Sequence, residues 1–130
     1  MSKSYEKEVI SSSNIAPSSS PLSQGIKWGN LIFLSGQLGR NPDTGELEEG
    51  FDNQTRRVLQ NLKELLTTVN SSMDMVLKTT IFVTDLKKVK NLNAIYKEFF
   101  NEPLPVRSCV EVSALGGGHR RQIELIASCD

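Results

Sequence analysis

Only two segments of this chain carry apolar residues at helical spacing, and this limits how much β-sheet the chain can cover. In the segment from Phe51 to Val69, apolar side chains recur every three or four residues. A second such pattern starts at Val89 and should end near Phe100. Asp52 is the expected N-cap of the first helix, and Asn70 is its expected left-handed stop. We therefore expect two amphipathic helices.

The strand signals surround these helices. A β-branched and aromatic run lies between them, and short apolar segments flank turn residues on either side. The Gly29-Asn30 dipeptide is suited to a tight hairpin turn. The expected strands lie around Gly25 to Trp28, Leu31 to Gln37, Leu77 to Val83, Val106 to Ala114 and Arg120 to Ser128. This order predicts an α+β fold with two helices on one face of a mixed, mostly antiparallel sheet.

Two of these strands are apolar on both sides. The runs Leu31 to Leu34 and Ile123 to Ala127 show little alternation, and such strands are normally buried on both faces. One layer of helices covers only one face. We therefore expect other copies of the chain to cover the second face, so that the protein is a homo-oligomer. An irregular strand pattern is the alternative explanation.

Composition sets the remaining limits. The length of 130 residues suits one domain over residues 1–130, and 15 basic residues balance 15 acidic ones, so nucleic acid is an unlikely partner. No apolar run approaches the ~20 residues that span a bilayer, and the N-terminus lacks the features of a targeting signal. We expect a cytoplasmic protein, not bound to a membrane, with Cys109 and Cys129 reduced.

Five stretches of the chain read together as successive motifs: Asn30 to Gln37, Gln54 to Arg56, Lys78 to Leu86, Asn93 to Tyr96 and Pro105 to Val112. They resemble the motifs of the reactive intermediate deaminase family (RidA, also called YjgF or L-PSP). The resemblance implies a chorismate-mutase-like fold of the bacillus type and a compact homotrimer with ligand clefts between subunits. It also implies hydrolysis of reactive enamines and imines, such as 2-aminoacrylate, to 2-keto acids and ammonia, without cofactor or metal.

Arg107 is the first candidate for the site. Its planar guanidinium can hold a carboxylate with two parallel hydrogen bonds, as the matching arginine does in the family, although an arginine on a strand is more often solvated or ion-paired. Strand alternation places Arg107, Cys109 and Glu111 on one face. We expect the thiol of Cys109 to be inert, since the single histidine, His119, lies in a Gly-rich turn. The resemblance instead implies that the Cys109 backbone carbonyl helps to hold the attacking water.

The remaining candidates line the same cleft by resemblance, and two of them depart from the family. Asn93 is expected near the ligand, and Ser35 and Gly36 are expected to contribute backbone groups. Gln122 stands where the family has a catalytic glutamate, and Leu22 stands where it has a cleft tyrosine. An amide can orient water but cannot exchange a proton with it, a role typically worth ~10²–10⁴ in rate.

Three functions remain open at this point. The first is an imine deaminase weakened by Gln122, and the second is a non-catalytic, trimeric binding protein for small carboxylate metabolites. The third is an endoribonuclease of the L-PSP type, which would draw on the basic segment His119 to Arg121. A neutral chain with one histidine makes that third case weak.

Overall fold

The computed structural model describes residues 5–130, and in that range it contains two α-helices, three short 3₁₀ helices and six strands. Helix α1 spans Phe51–Thr67 and helix α2 spans Val89–Phe99. The strands are β1 (Glu8–Ile10), β2 (Gly25–Trp28), β3 (Leu31–Gln37), β4 (Val76–Val83), β5 (Val106–Glu111) and β6 (Arg121–Ser128). They form one sheet in the order β1-β2-β3-β6-β4-β5, so the last strand of the chain lies near its centre.

The predicted α+β class and the mixed, mostly antiparallel sheet are confirmed. Strands β4 and β5 pair in parallel, and every other pair in this sheet is antiparallel. Strand β1 was not predicted, because three residues with one buried side chain carry no periodic signal. Strand β5 ends at Glu111 and not at Ala114, and it does not pair with β6, because β4 lies between them.

Both helices begin and end close to the predicted positions. Asp52 is not the N-cap of α1, however: Gly50 occupies that position with a φ of 81°, and no side chain of the described residues forms a capping hydrogen bond there. A glycine adopts this positive φ without a steric penalty. At the other end α1 stops at Thr67, and Asn70 takes the predicted left-handed conformation with a φ of 58°.

The face of the sheet toward the helices carries the core. Strand register aligns Ile10, Leu34, Leu125, Thr79 and Arg107 in one row across β1, β3, β6, β4 and β5. The first four are buried in the described chain. Arg107 therefore extends the core row onto the edge strand, where the helix layer ends.

The opposite face is apolar and open to solvent in the single chain. The neighbouring row aligns Val9, Ile26, Phe33, Ile126 and Val106, with Lys78 the polar member between the last two. Val9 and Val106 are more than 60% exposed, and Phe33 is 41% exposed. This pattern is the one expected of a face that another chain covers.

The two cysteines of the chain are not joined by a disulfide. Cys109 and Cys129 both carry free thiols. Across residues 5–130, no helix combines the length and the apolar character needed to cross a bilayer.

Candidate functional site

The Arg107 side chain is held in place from two sides. Its Nη2 donates a hydrogen bond of 2.6 Å to Oδ1 of Asn93 on α2. Its guanidinium carbon lies 4.9 Å from the centre of the ring of Tyr96, which follows Asn93 by about one turn of α2. The Tyr96 hydroxyl is in turn 2.8 Å from the hydroxyl of Thr79, the β4 neighbour of Arg107. These contacts fix the guanidinium at the edge of the core.

The charge of Arg107 is not neutralised by the surrounding side chains. Within residues 5–130 no carboxylate lies within 4 Å of its guanidinium nitrogens. Burial raises the pKa of Tyr96, and the hydrogen bond with Thr79 and the charge of Arg107 only partly oppose this, so the phenol stays neutral. A fixed, half-buried cation with spare donors is well suited to bind a carboxylate in the two-bond mode.

Cys109 lies on the same face of β5 as Arg107. Its side chain is aligned with Ile81 and Ile123, which are both fully buried, so its thiol has apolar neighbours rather than a base. The backbone N–H of Val112 donates to the carbonyl of Val83 on β4 at 2.8 Å. Because the backbone groups of successive residues point to opposite sides of a strand, Cys109, three residues before Val112, directs its carbonyl away from β4, to the open edge of the sheet.

A second group of candidates gathers around a bulge in β3. The pairing between β3 and β6 shifts register between Leu34 and Gln37, which places Ser35 and Gly36 in the irregular segment. Bulges re-aim side chains and are frequent beside active sites. The Ser35 hydroxyl donates to the carbonyl of Ser23 at 2.6 Å, so the bulge is attached to the loop that precedes β2.

Gln122 packs directly on Gly36. A Cβ atom at position 36 would lie 2.2 Å from Nε2 of Gln122 and 2.6 Å from its Cδ, far inside van der Waals contact. Only glycine leaves room for the amide in this position. The absence of a side chain at Gly36 thus determines where the Gln122 amide lies.

One cavity brings this second group together. It has a volume of about 380 Å³ and is lined by Leu22, Ser35, Gly36 and Gln122, together with Arg40. Cavities of ~300–1,000 Å³ are typical of small-molecule sites. Another cavity, of about 360 Å³, lies between the C-terminal ends of α1 and α2 and contains none of the predicted residues.

The two groups of candidates do not meet within one chain. The side chain of Gln122 lies on the open face of the sheet, whereas that of Arg107 lies on the helix face. Strand register separates them by three residues along the sheet and two strands across it, or roughly 14 Å between Cα atoms. A small carboxylate cannot touch both side chains of the same chain.

The basic segment before β6 is largely buried. Arg121 is fully buried, with its guanidinium 4.3 Å from the Phe51 ring centre and hydrogen-bonded through Nη1 to Gln54. Its Nε and Nη2 have no hydrogen-bond partner among residues 5–130, and burial, followed by the charge of Arg120, lowers the pKa of Arg121 to about 10. Burial also lowers the pKa of His119. Among His119, Arg120 and Arg121, only Arg120 is exposed.

Two residues of these sites, Tyr96 and Arg40, were not predicted from the sequence. Tyr96 counted only as an apolar position of α2, although its ring underlies Arg107. Arg40 gave no signal, because a single arginine between turn residues resembles an ordinary surface charge. Its position on the cavity wall depends on the fold of the loop after β3.

Comparisons with known proteins give consistent matches. Residues 13–129 match the family model described as Endoribonuclease L-PSP. The chain is 41% identical to Reactive Intermediate Deaminase A, chloroplastic, of Arabidopsis thaliana over 96% of its own length and 67% of that protein. Among solved structures it resembles RidA from a Psychrobacter bacterium (TM-score 0.91, 35% identity, covering 93% of this chain and 98% of that one). It also resembles E. coli TdcF with bound serine (TM-score 0.90, 34% identity, covering 95% and 100%).

Proposed function

The chain belongs to the reactive intermediate deaminase (RidA, L-PSP) family, and on this basis we propose that it binds small 2-imino and 2-keto acids and hydrolyses the imines to keto acids and ammonia. The observation that carries the proposal is the guanidinium of Arg107, which Asn93 and Tyr96 hold in place and which no carboxylate of the described chain neutralises. A carboxylate ligand would complete this arrangement. The serine bound to TdcF is likewise a small amino acid with a carboxylate.

The proposed active unit is a homotrimer. The open apolar face needs cover, and Arg107 and Gln122 lie too far apart in one chain to share a ligand. Both requirements are met when the Arg107 edge of one subunit meets the Gln122 cavity of its neighbour. The resulting cleft would combine a carboxylate anchor from one chain with a water-binding wall from the other.

In the proposed reaction, Arg107 holds the carboxylate so that the imine carbon faces a water molecule. The Cys109 carbonyl and the Gln122 side-chain oxygen accept hydrogen bonds from this water. Addition of the water to the imine carbon gives a tetrahedral aminoalcohol, and release of ammonia from it leaves the keto acid. Gln122 orients the water but does not exchange a proton with it, so we expect turnover to be slow for the family.

The second candidate function is binding without catalysis. It is favoured by the amide at Gln122 and the aliphatic side chain at Leu22, neither of which moves a proton. The ribonuclease alternative has less support, since Arg121 and His119 are buried and leave only Arg120 of that segment exposed for phosphate. A lone exposed arginine is a small contribution to nucleic-acid affinity.

The test is a direct assay of iminopropionate hydrolysis against a buffer blank. We expect wild type to exceed the blank and Arg107→Ala to lose most of this activity. Arg56→Ala is the matched control, because Arg56 is exposed and pairs with Glu98 away from both candidate groups. Equal activity of Arg107→Ala and wild type would refute the role of Arg107.

The Gln122→Glu variant separates the first two functions. It keeps the side-chain shape while restoring a group that exchanges protons with water, so we expect kcat/KM to rise about tenfold or more. Leu22 limits the gain, because the cleft tyrosine remains absent. If both wild type and Gln122→Glu match the blank while 2-keto acids still bind through Arg107, the protein is a binding protein and not an enzyme.

A further inference from the structure

Arg40 is the one ionisable side chain on the wall of the Gln122 cavity within the described chain. The other wall residues are polar but neutral, or apolar. The part of the cavity wall formed by residues 5–130 therefore carries a positive charge and no carboxylate. A cavity built only to position water on an imine does not require this charge.

The backbone of Arg40 is firmly held. It forms an isolated antiparallel bridge with Leu47, and its carbonyl accepts a hydrogen bond of 3.3 Å from the side chain of Asn61 on α1. Both contacts are independent of the side chain. These contacts fix the backbone from which the Arg40 side chain extends, and the hydrogen bond from its guanidinium to the Pro17 carbonyl holds the side chain at the cavity wall.

The side chain of Arg40 has donors to spare. Its Nη2 donates to the carbonyl of Pro17, which is its one hydrogen bond within residues 5–130. No carboxylate lies within 4 Å of its guanidinium nitrogens in that range, and Glu48, on the same loop, pairs with Arg57 instead. A half-buried guanidinium with unused donors and no counter-ion is a ready partner for an anion.

Arg40 also lies where two cavities adjoin. The neighbouring cavity, of about 420 Å³, shares Ser18, Leu38 and Gly116 with the first and is lined in addition by His119. The charge of Arg40 contributes to the lowered pKa of His119, although burial is the largest cause and a hydrogen bond with Leu38 opposes it. Among the described residues, Arg40 is thus the charged side chain that both cavities share.

We propose that Arg40 binds a second carboxylate of the ligand, so that this protein prefers dicarboxylic 2-imino and 2-keto acids over monocarboxylic ones. The inference rests on the proposed function, in which Arg107 of one subunit holds the first carboxylate beside the Gln122 cavity of its neighbour. The two arginines then bind the two ends of one ligand. Gln122 lies between the two arginines. Because its side chain is uncharged, it repels neither carboxylate of the ligand, whereas a glutamate at this position would repel both.

The experiment compares two keto acids that differ only in the second carboxylate. 2-Oxoglutarate and 2-oxopentanoate have the same five-carbon chain, and calorimetric titration of the assembled full-length protein gives a Kd for each. We expect wild type to bind 2-oxoglutarate about tenfold or more tightly than 2-oxopentanoate, the gain typical of a hydrogen-bonded charge pair. In Arg40→Gln this ratio should fall to near one, and in Arg40→Lys it should stay above one.

A purely structural role for Arg40 would affect other quantities. If Arg40 only fastens the loop to Pro17, Arg40→Gln lowers the thermal midpoint and leaves the ratio of the two Kd values unchanged, which would overturn the proposal. Arg56→Gln removes the same charge from an exposed ion pair, and the ratio should persist in that variant. Its loss there would mean that net charge, not Arg40, sets the preference.

The outcomes also separate this inference from the proposed function. Arg107→Ala should weaken the binding of both acids. If 2-oxopentanoate and 2-oxoglutarate bind wild type equally and both need Arg107, the carboxylate site stands and the dicarboxylate preference is wrong. If neither acid depends on Arg107, the proposed function itself fails.

Discussion

Replacing Gln54 should destabilise this protein more than removing the buried charge that Gln54 supports. Arg121 is fully buried, its one hydrogen bond within the described chain goes to Gln54, and two of its nitrogens have no partner there. The fall of its pKa from 12.5 to about 10 corresponds to ~3 kcal/mol against the charged form in the folded state, as an upper bound because neighbouring polar groups screen part of it. The folded protein therefore contains a costly cation with a single neutral partner.

The two substitutions differ in what they leave behind. Gln54→Leu removes a hydrogen bond to a charged group, worth ~1.5–3 kcal/mol, and a bond of 2.9 Å to the Glu48 carbonyl, worth ~1 kcal/mol, while the charge stays buried. We expect a loss of about 2.5–4 kcal/mol. Arg121→Met gives up the same charged hydrogen bond and the Phe51 ring contact, worth ~0.5–2 kcal/mol, but it relieves the cost of the buried charge. Its net effect should lie within ~2 kcal/mol of zero.

A double-mutant cycle measures this difference directly. Urea unfolding of wild type, both single variants and the double variant, at one protein concentration, should give a coupling energy of about 1.5–3 kcal/mol between positions 54 and 121. In a protein that already carries Arg121→Met, Gln54→Leu should cost only ~1 kcal/mol. Additive effects, or an Arg121→Met loss larger than that of Gln54→Leu, would refute the view that Arg121 is an under-compensated buried charge.

Three further predictions concern the site and the assembly. Gly36→Ala should fold but displace the Gln122 amide, so iminopropionate hydrolysis should fall while binding of 2-oxopentanoate persists; unchanged hydrolysis would separate Gln122 from the reaction. Because burial lowers the pKa of His119 in the folded chain, the unfolded chain takes up more protons as pH falls below ~6.5, and stability should decline there. His119→Phe should reduce that decline in urea titrations from about pH 7.5 to about pH 5, and equal slopes in both proteins would contradict it. Phe33→Asp places a charge in the open apolar row and should yield a folded monomer by sedimentation equilibrium; an intact oligomer would exclude this face as the interface.

Periodicity predicted the helices because each one buries a continuous stripe. The stripe of α1 includes Val58, Leu62 and Leu65, all fully buried, and a helix is the local structure that brings these three positions to one side. The predicted N-cap was wrong, although the helix begins at Phe51 as expected, because Asp52 has the chemistry of a cap, whereas Gly50 supplies the backbone conformation that the turn requires. Caps depend on the path of the preceding loop, which local sequence does not determine.

Some residues of the candidate site could be predicted from sequence motifs, whereas the roles of others depend on tertiary packing. Motif resemblance located Arg107 and Asn93, and the structure places their side chains 2.6 Å apart. The motifs could not reveal that Arg121 is buried or that Arg40 faces a cavity, because in the sequence an arginine at either position resembles an ordinary surface charge. Burial of a charged side chain is decided by tertiary packing, which brings Phe51 and Gln54 of α1 over the first residue of β6.

The separation of the carboxylate anchor from the cavity wall has a consequence for how such a protein can diversify. Arg107 lies in the row of the sheet that continues the core, and it contacts the buried Tyr96 on α2. Substitutions at Arg107 or at the residues that contact it therefore endanger folding. Leu22 and Arg40 project from loops and contribute little to the core, so changes there cost little stability. Selection can therefore alter which ligand is accepted, one wall residue at a time, while the grip on the carboxylate common to all of them is preserved.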